Sequence, residues 1–424
     1  SEFAAVGTVG SVVGITTRPD GRIYVTETQR RTNAAVDIRK VPDWLMESLA
    51  CTSIDDKDQL IQRRMSDWKK REAFKEKVYA LDDTDGDGKA DKVQVAFEGF
   101  NSNVNEVAAG ILWHDGALYV TCFPALYKLT DPDGDGVFDK SEELVTGMGI
   151  HVGYGGHDMH GPVLGVDGRI YWSMGDKGFN ITKDGKNYYG PGMGAVFRID
   201  PDGSHFEIFC AGVRNPFEMD FDAYGNLIAA DHDGDFGDQE GLRFMIQGSD
   251  SGWRKQWQYR GNKKWPEQTA YNPWMIDSLW KPPFAEQPAH ITPVFATYSS
   301  GPIGMVWEPG TALNAKYRGF FFLAESPKKT NAFRLEESGA GFVIKDAHVV
   351  MSGPFATGLH VGADGAIYAA DWGDNEWLPH AKGRVIKLDD PTMAKDPVRL
   401  ATQTLLREGF SKRTAAELAT LLAH

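Results

Sequence analysis

Cysteine is nearly absent from this chain of 424 residues, which contains only Cys51, Cys122 and Cys210. An odd and sparse set cannot form a disulfide framework, so at most one bridge is possible. Because the three lie in segments of different sequence pattern, we expect no essential disulfide. Long apolar runs are missing as well, and no stretch is long and apolar enough to span a bilayer.

Basic charge is also in short supply. The chain has 45 lysines and arginines against 59 aspartates and glutamates, a formal net charge of -14. This charge argues against a nucleic-acid partner, since phosphate binding needs a basic surface. A neutral or cationic small molecule, or bound divalent cations, fits better. Glycine (47) and tryptophan (12) are abundant, a composition that favours many short strands joined by tight turns.

One pattern recurs six times: a turn containing glycine, a short apolar strand, and then a small or acidic residue. The turn glycines are Gly21, Gly116, Gly168, Gly225, Gly319 and Gly365. Asp-Gly before alternating apolar residues is a strong hairpin signal. The closer copies are about 50 residues apart, the length of one four-stranded blade. The repeat predicts an all-β chain folded as a six-bladed β-propeller, in preference to a β-sandwich with chance repeats.

Two stretches interrupt this repeat. Residues from about 32 to 79 have helical patterning, with Pro42 near a helix start. Residues from about 252 to 293 are rich in Trp, Pro and Gln and predict an ordered loop over one face. We therefore expect a propeller over 1–390 and a helical tail over 391–424 that begins a helical-repeat region. Residues 1–3 resemble a cloning remnant, so we expect that a native signal peptide was removed.

Two acidic loops have the spacing of calcium-binding loops. Ca²⁺ takes about six to eight hard oxygen ligands, which this spacing can wrap around one ion. The first loop offers Asp131, Asp133, Asp135, Asp139 and Glu142, and the second offers Asp83, Asp85, Asp87 and Asp91. Gln94 takes the twelfth place of the second loop and provides one neutral oxygen, so weaker binding is expected there. The alternative for either loop is a solvated acidic turn.

Histidines cluster with glycines just before the third repeat, as His151, His157, Asp158 and His160. Histidine can act as a general base near neutral pH, and several together can hold a transition metal. The alternative is a set of hydrogen-bonded structural histidines. This segment precedes a repeat strand, at the edge where the central pocket of a propeller opens.

A second polar group surrounds the fourth repeat. Arg214 precedes that repeat and could bind an anionic ligand, stabilise developing negative charge, or form a salt bridge between blades. The acidic stretch 231–240 follows it, with Asp231, His232 and Asp233 as candidate metal ligands. Because corresponding strand ends converge around a propeller axis, we expect these groups and His157 at one funnel.

The stretch from His157 to Asp176, followed by Arg214-Asn215-Pro216, resembles the soluble glucose/sorbosone dehydrogenases. Those are six-bladed propellers that use pyrroloquinoline quinone (PQQ) and Ca²⁺. The chain more closely resembles the membrane-bound dehydrogenase propellers of planctomycetes and verrucomicrobia, in which HEAT repeats and a cytochrome c-like haem domain often follow. The resemblance extends over nearly the whole chain, to about residue 390.

The resemblance implies a role for each matching residue. His157 matches the family's catalytic base, and Asp176 matches the carboxylate that orients it. We therefore expect these two side chains within hydrogen-bond reach. Arg214 matches the arginine beside the quinone carbonyl, Asn215 its neighbour, and Lys328 a quinone-binding lysine.

Two segments depart from the pattern of the sugar dehydrogenases. An arginine pair is expected before the last blade strand to hold the quinone carboxylates, and residues 354–360 contain no arginine. Residues 107–110 lack the polar quinone contact expected there. Since charge-assisted bonds to carboxylates are strong, both losses predict weaker binding of a tricarboxylate cofactor.

Three functions remain open. The first is a periplasmic or secreted oxidoreductase that oxidises a sugar or sugar derivative, with His157 as base and a haem domain accepting electrons. The second is a lyase or hydrolase acting on carbohydrate, with a transition metal held by His151, His157, His160 and His232. The third is a non-catalytic propeller that binds glycan in its funnel.

Overall fold

Each predicted turn of the repeat joins the first and second strands of one sheet. A computed structural model describes residues 1–260, 271–280 and 294–421. The six turn glycines all have positive φ, a conformation that glycine adopts without strain. The turn chemistry therefore sets where each hairpin begins.

Within the described residues, 25 strands form six blades and one separate hairpin. In chain order they are β1 (Glu2–Ala4), β2 (Val12–Thr17), β3 (Ile23–Glu27), β4 (Glu76–Asp82), β5 (Lys92–Gly99), β6 (Gly110–His114), β7 (Ala117–Cys122), β8 (Ala125–Thr130), β9 (Lys140–Thr146), β10 (Met159–Leu164), β11 (Ile170–Met174), β12 (Phe179–Lys183), β13 (Lys186–Gly190), β14 (Gly194–Ile199), β15 (Glu207–Val213), β16 (Pro216–Phe221), β17 (Leu227–Asp231), β18 (Gly241–Met245), β19 (Pro302–Trp307), β20 (Phe320–Glu325), β21 (Lys329–Ser338), β22 (Gly341–Ser352), β23 (Ala356–Val361), β24 (Ile367–Asp371) and β25 (Arg384–Leu388).

The blades follow one another around an axis. Blade 1 is β2 to β5, blade 2 is β6 to β9, and blade 3 is β10, β11, β14 and β15, with the β12–β13 hairpin inserted. Blade 4 is β16 to β18, blade 5 is β19 to β22, and blade 6 is β23, β24, β25 and β1. The first strands of neighbouring blades contact each other in a closed ring of six. Radial closure leaves few exposed sheet edges, and the predicted six-bladed propeller is confirmed.

The first residues of the chain close this ring. β1 pairs antiparallel with β25, so blade 6 combines strands from both ends of the propeller. Phe3 is buried and packs edge-on against Tyr368. Glu2 and Phe3 thus take part in the fold as members of β1, while their origin as a cloning remnant stays a prediction. The apolar contacts of Phe3 explain why the segment lies in the sheet.

The hydrophobic core is divided among the spaces between blades. One cluster joins blades 2 and 3 around Trp172 and Phe197, and another joins blades 5 and 6 around Phe322 and Leu359. Trp172 is fully buried, and burial of one such large apolar side chain contributes about 1.5–3 kcal/mol. Because every blade packs on two others, the loops at the axis are held on a rigid frame.

Helices occupy the insertion between β3 and β4. They are α1 (Leu45–Ala50) and α2 (Ile54–Arg64), with 3-10 turns at Ile38–Lys40, Pro42–Trp44 and Trp68–Ala73. Ser53 caps α2 by accepting from the backbone of Asp56. The helical segment ends before β4, so the last residues of the predicted 32–79 stretch are strand.

The second insertion and the tail are described in part. The 252–293 stretch contains a 3-10 helix, Lys255–Tyr259, and the short α3 (Pro273–Ile276), while residues 261–270 and 281–293 of that stretch lie outside the described residues. Among the residues that the structure describes, blade 4 has three strands, and Ala296 pairs with Leu242 at the position of a fourth. The tail forms α4 (Pro397–Glu408) and α5 (Ala415–Leu421). Residues 422–424 of the predicted tail also fall outside the description.

All three cysteines are free and buried, so the prediction of no disulfide is confirmed. No helix among the described residues is long and apolar enough to cross a membrane.

Candidate active site

A cavity of about 290 Å³ opens on the propeller axis, and residues from all six blades line it. We call this cavity the funnel. Apolar side chains form part of its lining, among them Phe217, Ile303 and Trp372. Charged and polar side chains form the rest, including His157 and Arg214. The strand ends of different blades thus place polar and charged side chains from distant parts of the sequence in one cavity.

His157 and Asp176 form a buried hydrogen-bonded pair beside the funnel. His157 Nδ1 lies 2.8 Å from Asp176 Oδ1, as predicted. The indole Nε1 of Trp253 donates to the other carboxylate oxygen, also at 2.8 Å. Since the carboxylate accepts, the hydrogen of the neutral imidazole lies on Nδ1 and the lone pair on Nε2. His157 lines the funnel, and its Nε2 has no hydrogen-bond partner among the described residues.

The electrostatic environment keeps this imidazole neutral. Burial lowers the pKa of His157 to about 4, even though the attraction of Asp176 opposes that shift, and the charge of Arg214 lowers the pKa further. Burial by itself would raise the pKa of Asp176, but His157, Lys255 and Arg214 hold it at about 2. At neutral pH the pair is therefore a neutral imidazole on an ionised carboxylate, which is the form that can accept a proton.

Arg214 lines the same cavity and is fixed by side chains of the acidic stretch and the second insertion. Its Nη2 donates to Asp235 at 2.6 Å and its Nε donates to Gln258 at 2.9 Å. The guanidinium lies 5.8 Å from the ring centre of Tyr154 and 5.6 Å from that of Trp253. Arg214 thus provides a fixed positive charge at the funnel, with Asp235 as its partner.

Asn215 and His232 form a second polar pair. The amide nitrogen of Asn215 lies 2.9 Å from His232 Nδ1, and His232 Nε2 lies 2.8 Å from the carbonyl of Pro302. Both nitrogens of His232 are thereby occupied. The buried Oδ1 of Asn215 has no hydrogen-bond partner among the described residues, and both this oxygen and the Cβ of His157 lie within 2.8 Å of the position that a Cβ on Gly175 would take.

The other histidines do not join a metal site. His151 Nε2 lies 3.1 Å from the carbonyl of Cys51, away from the funnel lining. His160 stacks on Phe217 with ring centres 3.7 Å apart, and its Nε2 lies 3.2 Å from the carbonyl of Gly156. Among the described residues, groups of three metal-ligand side chains converge only in the two acidic loops. The predicted His151, His157, His160 and His232 cluster is therefore not assembled, because each ring faces a different neighbour.

Asp231, a predicted metal ligand, is a hydrogen-bond acceptor within blade 4. Its carboxylate accepts from the backbone N–H groups of Arg214 and Asn215 and from Arg243 Nε, at 2.7–3.2 Å. It is fully buried and does not line the funnel. The acid at the end of β17 therefore holds together the three strands of blade 4.

Asp233 does line the funnel, together with Glu240. Burial and the neighbouring Glu240 carboxylate raise the pKa of Asp233 to about 6, and burial raises the pKa of Glu240 to about 7. Glu240 accepts hydrogen bonds from the backbone of Asp233 and Gly301. These carboxylates do not converge with a third ligand among the residues described, and they present acceptor oxygens to the cavity.

The segments that depart from the dehydrogenase pattern are apolar here. Phe355 is buried, and the hydroxyl of Thr357 donates to the backbone carbonyl of Val13 at 2.8 Å. Val107 and Ala109 line the funnel where a polar contact was expected. Lys328 donates to the carbonyl of Gly373 at 3.3 Å and does not line the funnel, so the implied quinone contact is not formed by its present position.

The two acidic loops lie far from this site and join the outer strands of blades 1 and 2. Asp131, Asp133 and Asp135 converge in one loop, and Asp83, Asp85 and Asp91 converge in the other. Asp139, Glu142 and Asp87 do not join these clusters. Because β9 begins at Lys140, the extended chain carries Glu142 away from the loop. The converging carboxylates are thus positions one, three and five in one loop and positions one, three and nine in the other, and calcium binding by either loop stays a prediction.

Several residues of the site were missed by sequence reasoning. Trp253 and Gln258 belong to the second insertion, whose abundance of Trp and Gln was the available signal. Arg31, Trp372 and Trp377 also line the funnel. Nothing local distinguishes them, because their relevance arises from distant segments that meet on the axis.

Residues 1–259 match the model of a protein family described as a domain of unknown function, DUF7133. The chain belongs to this family. No curated protein sequence matches it. The family description assigns no activity, so the site must be interpreted from its own geometry.

Solved structures of similar fold include proteins described as sugar dehydrogenases. A protein of Thermus thermophilus, provisionally described as an oxidoreductase (glucose dehydrogenase), has a TM-score of 0.56 at 13% identity, covering 91% of this chain and 98% of that one. The PQQ-bound aldose sugar dehydrogenase of Streptomyces coelicolor has a TM-score of 0.53 at 14% identity, with coverages of 91% and 96%. The PQQ domain of Coprinopsis cinerea pyranose dehydrogenase has a TM-score of 0.50 at 10% identity, with coverages of 90% and 93%. At such identities the similarity establishes the fold alone.

Proposed function

We propose that this chain is an oxidoreductase that acts on a hydroxyl group of a sugar or sugar derivative bound in the funnel. The observation that carries the proposal is the His157–Asp176 pair, with its free lone pair at the cavity. A neutral, oriented imidazole can take the hydroxyl proton, while the hydrogen on the same carbon would leave as hydride to a separate two-electron acceptor, such as the quinone or dye supplied in the assay below. The dehydrogenase-like fold supports the choice of redox chemistry by analogy.

The chain's own residues provide three further parts of the chemistry. Asp176 and Trp253 fix the tautomer and orientation of His157. Arg214 supplies a positive charge that stabilises negative charge developing on the substrate oxygen. The buried, partly apolar lining, with Phe217 and Trp372, limits the access of water and strengthens both effects.

The quinone implied by the family resemblance fits the funnel only in part. Its planar ring suits the aromatic lining, but its three carboxylates need cationic partners. Arg39 and Arg214 already bond to Asp37 and Asp235, which leaves Arg31 as the one arginine of the lining without an ion pair among the described residues, and the carboxyl groups of Asp233 and Glu240 lie in the same cavity. The donor set does not fit a tricarboxylate, so the proposal assigns to this chain the proton transfer and no step of the quinone.

The remaining parts of the proposal follow from the family resemblance. A periplasmic or secreted location and a cytochrome c-like haem domain as electron acceptor are expected for a dehydrogenase of this type. Ca²⁺ bound by the acidic loops would stabilise blades 1 and 2 and would not act in catalysis.

The experiment is a dye-coupled oxidation assay with a panel of sugars, with and without added PQQ and Ca²⁺, combined with absorption spectroscopy for bound quinone. We expect oxidation by the native sequence and loss of it in His157→Ala. His205→Ala removes an exposed imidazole from blade 3 and serves as the matched control. Absence of oxidation with every sugar and acceptor would contradict the proposal, as would full activity of His157→Ala.

Glycan binding without turnover is the second candidate. The observation that favours it is the combination of Trp372 and Trp377 with the carboxylates of Asp233 and Glu240 in one cavity. Aromatic faces and hydroxyl-accepting carboxylates suit a sugar ring whether or not it reacts. Sugar binding retained in His157→Ala, without turnover by the native sequence, would favour this candidate.

A further inference from the structure

Arg31 differs from the other two arginines that line the funnel. Arg39 pairs with Asp37 and Arg214 pairs with Asp235, each at 2.6 Å. Arg31 also lines the cavity, but its side chain forms no ion pair or hydrogen bond with any residue that the structure describes. Within that described part of the chain, the funnel therefore contains one cation without a partner carboxylate.

The position of Arg31 is enclosed. Its side chain lies against the Gly155–Gly156 backbone, two residues before His157, since a Cβ added to Gly155 would overlap its Nη1. The guanidinium also lies over the ring of Trp377, 5.8 Å from the centroid. Burial lowers the pKa of Arg31, and the carboxylates of Asp158 and Asp37 compensate this only in part. An enclosed charge without a direct partner is costly, and this cost is offset when an anion binds.

The carboxyl groups around Arg31 favour an anion with a single negative charge. Asp233, Asp235 and Glu240 line the same cavity, so a ligand with several negative charges would be repelled. A single carboxylate can be neutralised by one guanidinium, which binds it through two parallel hydrogen bonds. Neutral hydroxyl groups on the same molecule can donate to the acidic side chains, and its apolar face can lie on Trp377.

We infer that Arg31 is an anion-binding residue of the funnel and that it binds the carboxylate of an acidic sugar, such as a uronic acid. This inference rests on the proposed function, because it names the substrate class of the same site. The other source of a carboxylate is a quinone cofactor, and the two sources are separated by measuring both ligands.

The test measures binding to the full chain by isothermal titration calorimetry, with glucuronate, galacturonate, glucose and PQQ as separate ligands. Arg31→Gln removes the charge at similar length, and Arg31→Lys keeps the charge without the bidentate geometry. Lys40→Gln is the matched control, because Lys40 is exposed in the same segment and lies outside the funnel lining. Circular dichroism and melting curves establish that each variant is folded.

We expect a uronate to bind the native sequence more tightly than glucose does. Arg31→Gln should weaken uronate binding roughly tenfold to a hundredfold, the loss expected for a charge-assisted contact. Arg31→Lys should lie between, while glucose binding and the Lys40→Gln variant stay unchanged.

Two results would overturn the inference. One is uronate binding that is absent from the native sequence or equal in Arg31→Gln. The other is loss of PQQ binding in Arg31→Gln while uronate binding is unaffected, which would assign Arg31 to the cofactor. Arg31-dependent uronate binding without any oxidation would instead leave this inference standing and remove the proposed oxidoreductase function.

Discussion

The acidic residues that follow the repeat strands have different partners in blade 3 and in blades 4 and 6. Asp231 and Asp371 end β17 and β24. Before the first strand of its own blade, Asp231 accepts from the N–H groups of Arg214 and Asn215, and Asp371 from that of Phe355. Each also accepts from an arginine on the third strand. Asp176 lies two residues beyond β11 and accepts from His157 and Trp253 instead. The carboxylate at the end of the second strand thus joins the strands of its own blade in blades 4 and 6. In blade 3 the carboxylate orients the imidazole of His157 instead.

This difference shows how a repeat fold acquires a site. A carboxylate that satisfies backbone donors stabilises its blade and has no spare oxygen. When the chain continues for two residues before the acid, as at Gly175-Asp176, the carboxylate reaches a side chain at the axis. Substitutions, pH and chelation should affect these carboxylates differently.

The largest effect is expected for Asp176→Asn. An amide cannot hold the Nδ1–H tautomer of His157 as the carboxylate does, so turnover of the sugar substrate should fall about 10²–10⁴-fold. The free energy of unfolding should change less than it does in Asp231→Ala, where the lost carboxylate joins strands of one blade. The measurement is steady-state kinetics beside a urea melt, and turnover equal to that of the native sequence would show that Asp176 does not orient the base.

Asp231→Ala should have its main effect on stability. The change removes the acceptor of two backbone N–H groups and of the buried Arg243 guanidinium, and loss of one partner of such a pair costs about 3–5 kcal/mol. Asp371→Ala should cost less, because Arg384 is 27% exposed. A stability loss in Asp176→Asn larger than in Asp231→Ala would reverse the comparison.

The pH dependence of turnover tests the electrostatic environment of His157. Because the pKa of His157 is lowered to about 4, the imidazole is already unprotonated at pH 7. As pH falls through about 4 it gains a proton and can no longer act as base, so kcat/KM should be flat from about pH 7 to 5 and then decline. Far-UV circular dichroism at each pH controls for acid unfolding. A decline centred near the ordinary histidine pKa of about 6.5 would mean that His157 is more exposed to solvent.

The smallest effect concerns the acidic turns. If the native state binds Ca²⁺, chelation should lower the melting temperature. Binding at a hundredfold excess of free Ca²⁺ over Kd contributes about 2.7 kcal/mol to the free energy of unfolding, and chelation removes this contribution. Asp133→Ala should reproduce part of that loss. Asp139→Ala should not, because Asp139 lies outside the converging group. A melting temperature indifferent to chelator would leave these loops as solvated turns.

Part of this protein could be predicted from sequence because its determinants are local. The six glycine turns and the strands after them define the blades through short-range backbone geometry, and the helical insertion follows from 3.6-residue periodicity. The His157–Asp176 contact was also predictable, since both residues lie in one blade, 19 positions apart. Family resemblance supplied its chemical interpretation.

Tertiary structure alone decided the rest. A carboxylate such as Asp231 can be a metal ligand or can join the strands of its blade through hydrogen bonds. Which of these it does depends on the N–H donors that reach it, and these donors come from other strands. The role of Trp253, the isolated charge of Arg31 and the scattering of the four histidines depend on contacts between segments far apart in the chain. The sequence determined which residues are present near the axis, and the radial closure of the blades determined which of them share a hydrogen bond or stand without a partner among the residues described.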